Sequence, residues 1–170
     1  MDGDIAGSLI LQIVLIAINA IFACVEIAVV SVNDTKLEKM VSDGNKKAIR
    51  LLKLTSQPSR FLATIQVAIT LSGFLGSAFA ADNFSEPLVA WLLSIGVPIP
   101  ERTLDTIAVV LITLILSYVT LIFGELVPKR VAMNKTEAIA LGLSGLITFF
   151  SKLFAPLVWL LTSSTNGVLR

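Results

Sequence analysis

The chain has no histidine, one cysteine and only 15% charged residues over 170 positions. Without histidine, imidazole-based nucleophilic sites and histidine metal centres are excluded. Cys24 has no second thiol to pair with and lies in an apolar run, where it reads as a small apolar residue. No Walker or dinucleotide glycine pattern occurs: Ser72-Gly73-Phe74-Leu75-Gly76-Ser77 is too weak a match and sits within a long apolar stretch. Basic and aromatic residues do not interleave, so nucleic acid is not expected as a partner. No catalytic constellation stands out, and an enzyme is not expected.

Apolar surface is what the chain has in abundance. Hydrophobic residues make up 55% of it and the mean hydropathy is +0.89, more than a soluble domain of this size carries. The expectation is a multi-pass integral protein of the cell (plasma) membrane, in contact with the lipid bilayer. A hydrocarbon core of about 30 Å takes about 20 helical residues, and residues 5–32, 61–81 and 106–127 meet that length. No basic residues precede the first window, and Asn19 and Glu26 interrupt it, so it reads as a retained span and not a signal peptide. A fourth stretch, 138–161, contains Lys152 and Pro156. Crossing there would bury Lys152 at a cost of a few kcal/mol, which two shorter interfacial helices broken near 152–156 avoid. The expected fold is an all-α membrane protein with three transmembrane helices plus amphipathic juxtamembrane helices over about 35–54 and 136–169.

Charge placement orients it. Residues 33–60 carry Lys36, Lys39, Lys46, Lys47, Arg50, Lys53 and Arg60 against Asp34, Glu38 and Asp43. The segment between the second and third spans has Asp82, Glu86, Glu101 and Asp105 with only Arg102, and the N-terminus has Asp2 and Asp4. The positive-inside rule places the N-terminus outside and the C-terminus in the cytoplasm. In the basic loop, Leu37, Met40, Val41, Ala48, Leu51 and Leu52 recur at helical spacing, predicting an amphipathic helix on the inner leaflet or against a soluble partner. Thr35 and Glu38 have capping-box spacing, Pro58 can open the next helix, and Asn134 with Glu137 form a second cap pattern. On the outer side, residues 84–95, with Pro87 and Trp91, are too short to span and predict a separate interfacial or re-entrant helix.

The spans carry polar residues in rows. Gln12, Asn19 and Glu26 recur every seven residues in the first; Gln66, Thr70, Gly73 and Ser77 share a face in the second; Thr113, Ser117, Thr120 and Gly124 do so in the third. The small residues also suit close helix packing, whereas carboxylates at membrane depth usually face a partner or a pathway. The third span ends in Gly124-Glu125-Leu126-Val127-Pro128-Lys129-Arg130. Pro128 has no N–H, which frees the Gly124 carbonyl from its helical partner, and in lipid that oxygen needs another. With the Glu125 carboxylate beside it, the turn offers hard oxygens suited to Mg²⁺, Ca²⁺ or Na⁺. Glu125 and Lys129 are equally an i,i+4 ion pair.

Glu26-Ile27-Ala28, Gly44-Asn45-Lys46-Lys47-Ala48, Arg60-Phe61-Leu62-Ala63-Thr64-Ile65-Gln66, Ile69-Thr70-Leu71 and Gly124-Glu125-Leu126-Val127-Pro128-Lys129 together resemble the transmembrane domain of the CorC/cyclin M (CNNM) family, over nearly the whole chain. The resemblance implies a homodimer that exports Mg²⁺ coupled to Na⁺ entry, followed in most members by cytosolic nucleotide-binding CBS domains, which this chain does not include. Mg²⁺-transporting members carry serine before the first-span glutamate and asparagine in the second span; here those positions are Val25 and Ile69, and the chain resembles the hemolysin-like branch of the family. The expected cation ligands are Glu125, Gly124, Glu26, Thr70, Ser72 and Gln66, with retained waters completing the shell. The other reading is a non-transporting membrane anchor or sensor for the CBS domains, in which Glu125 serves structure through Lys129 or Arg130.

Overall fold

In the computed structural model, residues 2–169 are described, with side chains from Ile5 onward; Asp2 and Asp4, counted above as outer charges, lie outside the described side chains. Every regular element among the described residues is helical. In order they are α1 (Asp2–Val30), α2 (Asp34–Ser42), α3 (Lys46–Thr55), α4 (Pro58–Ser94), α5 (Glu101–Leu121), a π-helical turn (Ile122–Leu126), α6 (Val127–Asn134), α7 (Thr136–Leu153) and α8 (Ala155–Val168). The expected all-α membrane fold is present. Four helical stretches are long and apolar enough to cross a membrane: Ile5–Val30, Pro58–Ser94, Glu101–Asn134 and, at 18 residues, Thr136–Leu153.

The central helix is α1, which packs against α4, the π turn, α6 and α7. Phe22, Val25, Ala28 and Val29 of α1 are buried with Leu37, Ala48, Leu51, Phe61, Ile65, Ala132, Ala140 and Ile147, so one apolar core ties the juxtamembrane helices to the spans. Phe150 of α7 meets Phe22 edge-on, centroids 5.0 Å apart. A smaller cluster of Val89, Leu104 and Ala108 closes the α4–α5 hairpin at the far end. The outward face of α5 is apolar and bare, with Leu114 and Tyr118 both about two-thirds exposed (63% and 66%), as suits lipid.

Several expected boundaries move. The single helix predicted over 35–54 is two, because the chain closes a Schellman cap at Gly44: the Gly44 N–H donates to the Val41 carbonyl and the Asn45 N–H to the Met40 carbonyl. Gly44 has φ +80°, which a residue with Cβ adopts only under strain. Asn45 then caps α3, accepting from the N–H groups of Lys47 and Ala48. The start of α2 is capped by Asn33, which accepts from the Lys36 N–H, in place of the expected Thr35. At α7 the N-cap is Lys135 with no side-chain bond, so the Asn134 cap pattern is not used. The separate outer helix is absent too: α4 runs through Pro87 to Ser94, stabilised there by Val89 packing on α5. Pro58 does open α4, and the fourth stretch does break between Leu153 and Ala155.

The two ends of α7 meet the same segment. Glu137 pairs with Lys36 at 2.6 Å, while Thr148, Ser151 and Lys152 line a cavity with Arg50, Lys53 and Arg60.

Candidate cation-binding site

The seven-residue row on α1 faces inward as its spacing requires: Gln12 and Asn19 are buried (7% and 3% exposed) and Glu26 is half-buried. Asn19 lies against the turn after α5. Its Nδ2 donates to the Gly124 carbonyl at 3.0 Å, supplying the partner that Pro128, lacking an N–H, cannot. The approach needs glycine: a Cβ at Gly124 would sit 3.1 Å from Asn19 Nδ2 and 3.3 Å from Thr120 Cγ2. The chain stays helical past Pro128 by widening into the π turn, whose N–H at Val127 reaches back to the Ile122 carbonyl. Cys24, two residues before the end of the row, donates its thiol to the Pro128 carbonyl at 3.2 Å.

This docking of α1 on the π turn brings Glu26 and Glu125 to one cation. Lys129 Nζ lies 2.8 Å from Glu125 Oε1 and 3.1 Å from Glu26 Oε2. The expected i,i+4 pair is therefore formed, and Glu26 completes it from another helix. Each partner keeps about a quarter to a third of its side-chain surface exposed (26% for Lys129 and Glu26, 36% for Glu125), so the cluster lies at the edge of the protein interior. Sequence reasoning placed both carboxylates and named Lys129 as a partner for Glu125 alone. The oxygen it missed is Asn19 Oδ1, buried and without a hydrogen bond. Its signal was the i,i+7 row.

The other expected ligands lie on α4. Gln66 Nε2 donates to Thr70 Oγ1 at 3.2 Å on an exposed part of α4, and among the described residues no hydrogen bond joins Gln66, Thr70 or Ser72 to Glu26 or Glu125. The α4 row that meets α1 is instead the one with Gly76, where a Cβ would lie 3.1 Å from Gln12 Nε2. Val25 is fully buried in the apolar core and Ile69 packs against it, so neither position supplies an oxygen. Among the described residues, no three His, Cys, Asp or Glu side chains converge on a point that could hold a metal ion. The arrangement provides two carboxylates, one carbonyl and one amide oxygen, with an ammonium bound between the carboxylates.

Residues 10–170 match the family model described as the cyclin M transmembrane N-terminal domain. Similar curated proteins include a UPF0053 protein of Synechocystis sp., 38% identical over 92% of this chain and 35% of its own length. A polyamine export protein of Haemophilus influenzae is 29% identical over 93% of this chain and 36% of its own. A UPF0053 inner membrane protein of Escherichia coli is 29% identical over 90% and 32%. The chain thus spans about a third of the length of these relatives.

Proposed function

The chain belongs to the cyclin M transmembrane N-terminal domain family, and from that premise we propose that this multi-pass membrane protein moves a small cation through the site at Glu26 and Glu125. The observation that carries the reading is the capture of one ammonium by two carboxylates from different helices, at 2.8 and 3.1 Å. Carboxylates at that depth are costly and are kept where a cation is bound or passed. In transport, a mobile cation takes the place of the Lys129 ammonium.

Mg²⁺ export coupled to Na⁺ entry is the first form of this reading. Mg²⁺ prefers six oxygens; in this form Glu26, Glu125, the Gly124 carbonyl and Asn19 Oδ1 supply four, and water supplies the remainder. An organic polyamine is the second form, favoured because its primary ammonium has the same chemistry as the one already held and because a relative is named as a polyamine exporter. The proposal includes the homodimer, the cytosolic CBS domains, the outside N-terminus and three crossings. Exposed Gln66 and Ser117 within the spans support a partner surface, since lipid serves polar groups poorly. Contact of both ends of α7 with the basic segment before α4 supports its lying along one surface.

Flux through proteoliposomes tests the reading with Mg²⁺, Na⁺ and spermidine as separate probes. Glu125→Gln is expected to lower the transported cation's flux at least about tenfold, the usual scale for losing one charged contact; the cation affected names the cargo. Wild-type flux in that variant overturns the site. Absence of all three fluxes in the wild type is what a non-transporting anchor for CBS domains gives.

A further inference from the structure

A basic cavity, with neither Glu26 nor Glu125 in its walls, lies between α3, the start of α4 and the end of α7. It has a volume of about 380 Å³ and is lined by Arg50, Lys53, Arg60 and Lys152, with no acidic side chain among its walls. Gln57, Thr148 and Ser151 add polar groups, and Leu54 with Phe61 provide an apolar floor. Among the described residues the four cations enter no ion pair, all three ion pairs of the structure lying elsewhere. Nor, among the described residues, do their side chains or those of Gln57 and Ser151 donate a hydrogen bond. Arg50 reaches α7, its guanidinium nitrogen 3.4 Å from the position a Cβ on Gly145 would take. Three separate helices thus converge four like charges that the protein itself leaves without a counter-charge. Like charges brought together without one repel, so the arrangement is stabilised by an anion that accepts several hydrogen bonds at once.

We infer that this cavity binds a phosphate oxyanion, supplied by the headgroup of an acidic phospholipid. Phosphate has the acceptor oxygens to engage an arginine fork together with lysines and a serine hydroxyl. The location favours the lipid source over free phosphate. Arg60 stands one residue before the apolar span that starts at Phe61, which puts the cavity at the lipid–water boundary, where basic pockets between helices take anionic headgroups. The inference is independent of which cation the Glu26–Glu125 site carries.

The test uses the 170-residue chain in nanodiscs of phosphatidylcholine doped with either phosphatidylglycerol or no acidic lipid, with bound lipid counted by native mass spectrometry after extraction. A parallel arm titrates inorganic phosphate into the chain in neutral detergent. The wild type is expected to retain phosphatidylglycerol over phosphatidylcholine. Arg50→Gln combined with Lys152→Gln should lower that retention on the order of thirty-fold, from about fivefold per basic residue. Arg50→Lys with Lys152→Arg, which keeps the charges, should restore it, and Lys39→Gln, outside the cavity, should leave it unchanged. Helicity by circular dichroism establishes that each variant is folded. Saturable inorganic phosphate binding lost in the same double variant, without lipid retention, supports the oxyanion site and overturns the headgroup as its source. Equal retention of both lipids together with no phosphate binding, or binding unaffected by the double variant, overturns the inference altogether.

Discussion

Two groups of charges lie within this small membrane domain, and they are handled in opposite ways. At the π turn, Glu26 of one helix and Glu125 of another share the Lys129 ammonium, which balances one of the two carboxylate charges inside the fold. At the α3–α4–α7 junction, Arg50, Lys53, Arg60 and Lys152 come from three helices and neutralise nothing. The first group is about two-thirds to three-quarters buried, where removing one partner of an ion pair leaves an uncompensated charge, so a counter-charge inside the fold is a condition of its being there. The second is open to water, which screens part of the repulsion and leaves the rest to be offset by an anion from outside. Internal pairing therefore marks a place where charge had to be buried, and its lack marks a place where an outside ion can arrive.

The contrast is broken most strongly at Lys129. Lys129→Met leaves two carboxylates facing each other without the ammonium they share; removing one partner of a fully buried pair costs about 3–5 kcal/mol, and partial exposure reduces the expected loss to about 2 kcal/mol. Thermal unfolding in detergent measures it, and adding Mg²⁺ or spermidine should recover part of the loss in this variant more than in the wild type. An unchanged melting temperature would mean that the cluster contributes no stability. Gly124→Ala comes next. It drives a methyl into Asn19 and Thr120, with an expected cost of about 1–2 kcal/mol and a parallel loss of cation flux, because the same contact positions Glu125. Lys36→Ala should have the smallest effect. Its pair with Glu137 is 60% and 39% exposed, a class worth less than about 1 kcal/mol, and the small shift should vanish in high salt.

Much of this was legible in the sequence, and the failures have definite causes. Hydropathy located the spans, and the missing N–H of Pro128 pointed to a free Gly124 carbonyl before any partner was visible. The i,i+7 row on α1 placed Asn19 on the right face. That its amide reaches Gly124, and that Glu26 joins Lys129, depended on how α1 docks against the turn, which local spacing does not encode. The outer end of α4 misled because Pro87 and the nearby acids resemble a break, while packing of Val89 on Leu104 and Ala108 outweighs the lost hydrogen bond. Gly44 was read as part of a motif and not as a stop, since a positive φ is a property of the cap as a whole. The basic cavity was hidden because Lys152 is about a hundred residues from its companions.

The π turn also alters how the third span should be counted. An α-helix advances about 100° per residue, and a π turn accommodates one residue more than the α turn it replaces. Everything after Leu126 is therefore out of phase by about that angle with the row Thr113, Ser117 and Thr120 before it. A helical wheel drawn straight through the span would assign Lys129 to the side opposite that row, whereas in the fold Lys129 turns toward α1. The inserted residue works as a phase shifter, letting one continuous rod present lipid-facing side chains along most of its length and a charged contact to α1 at its end.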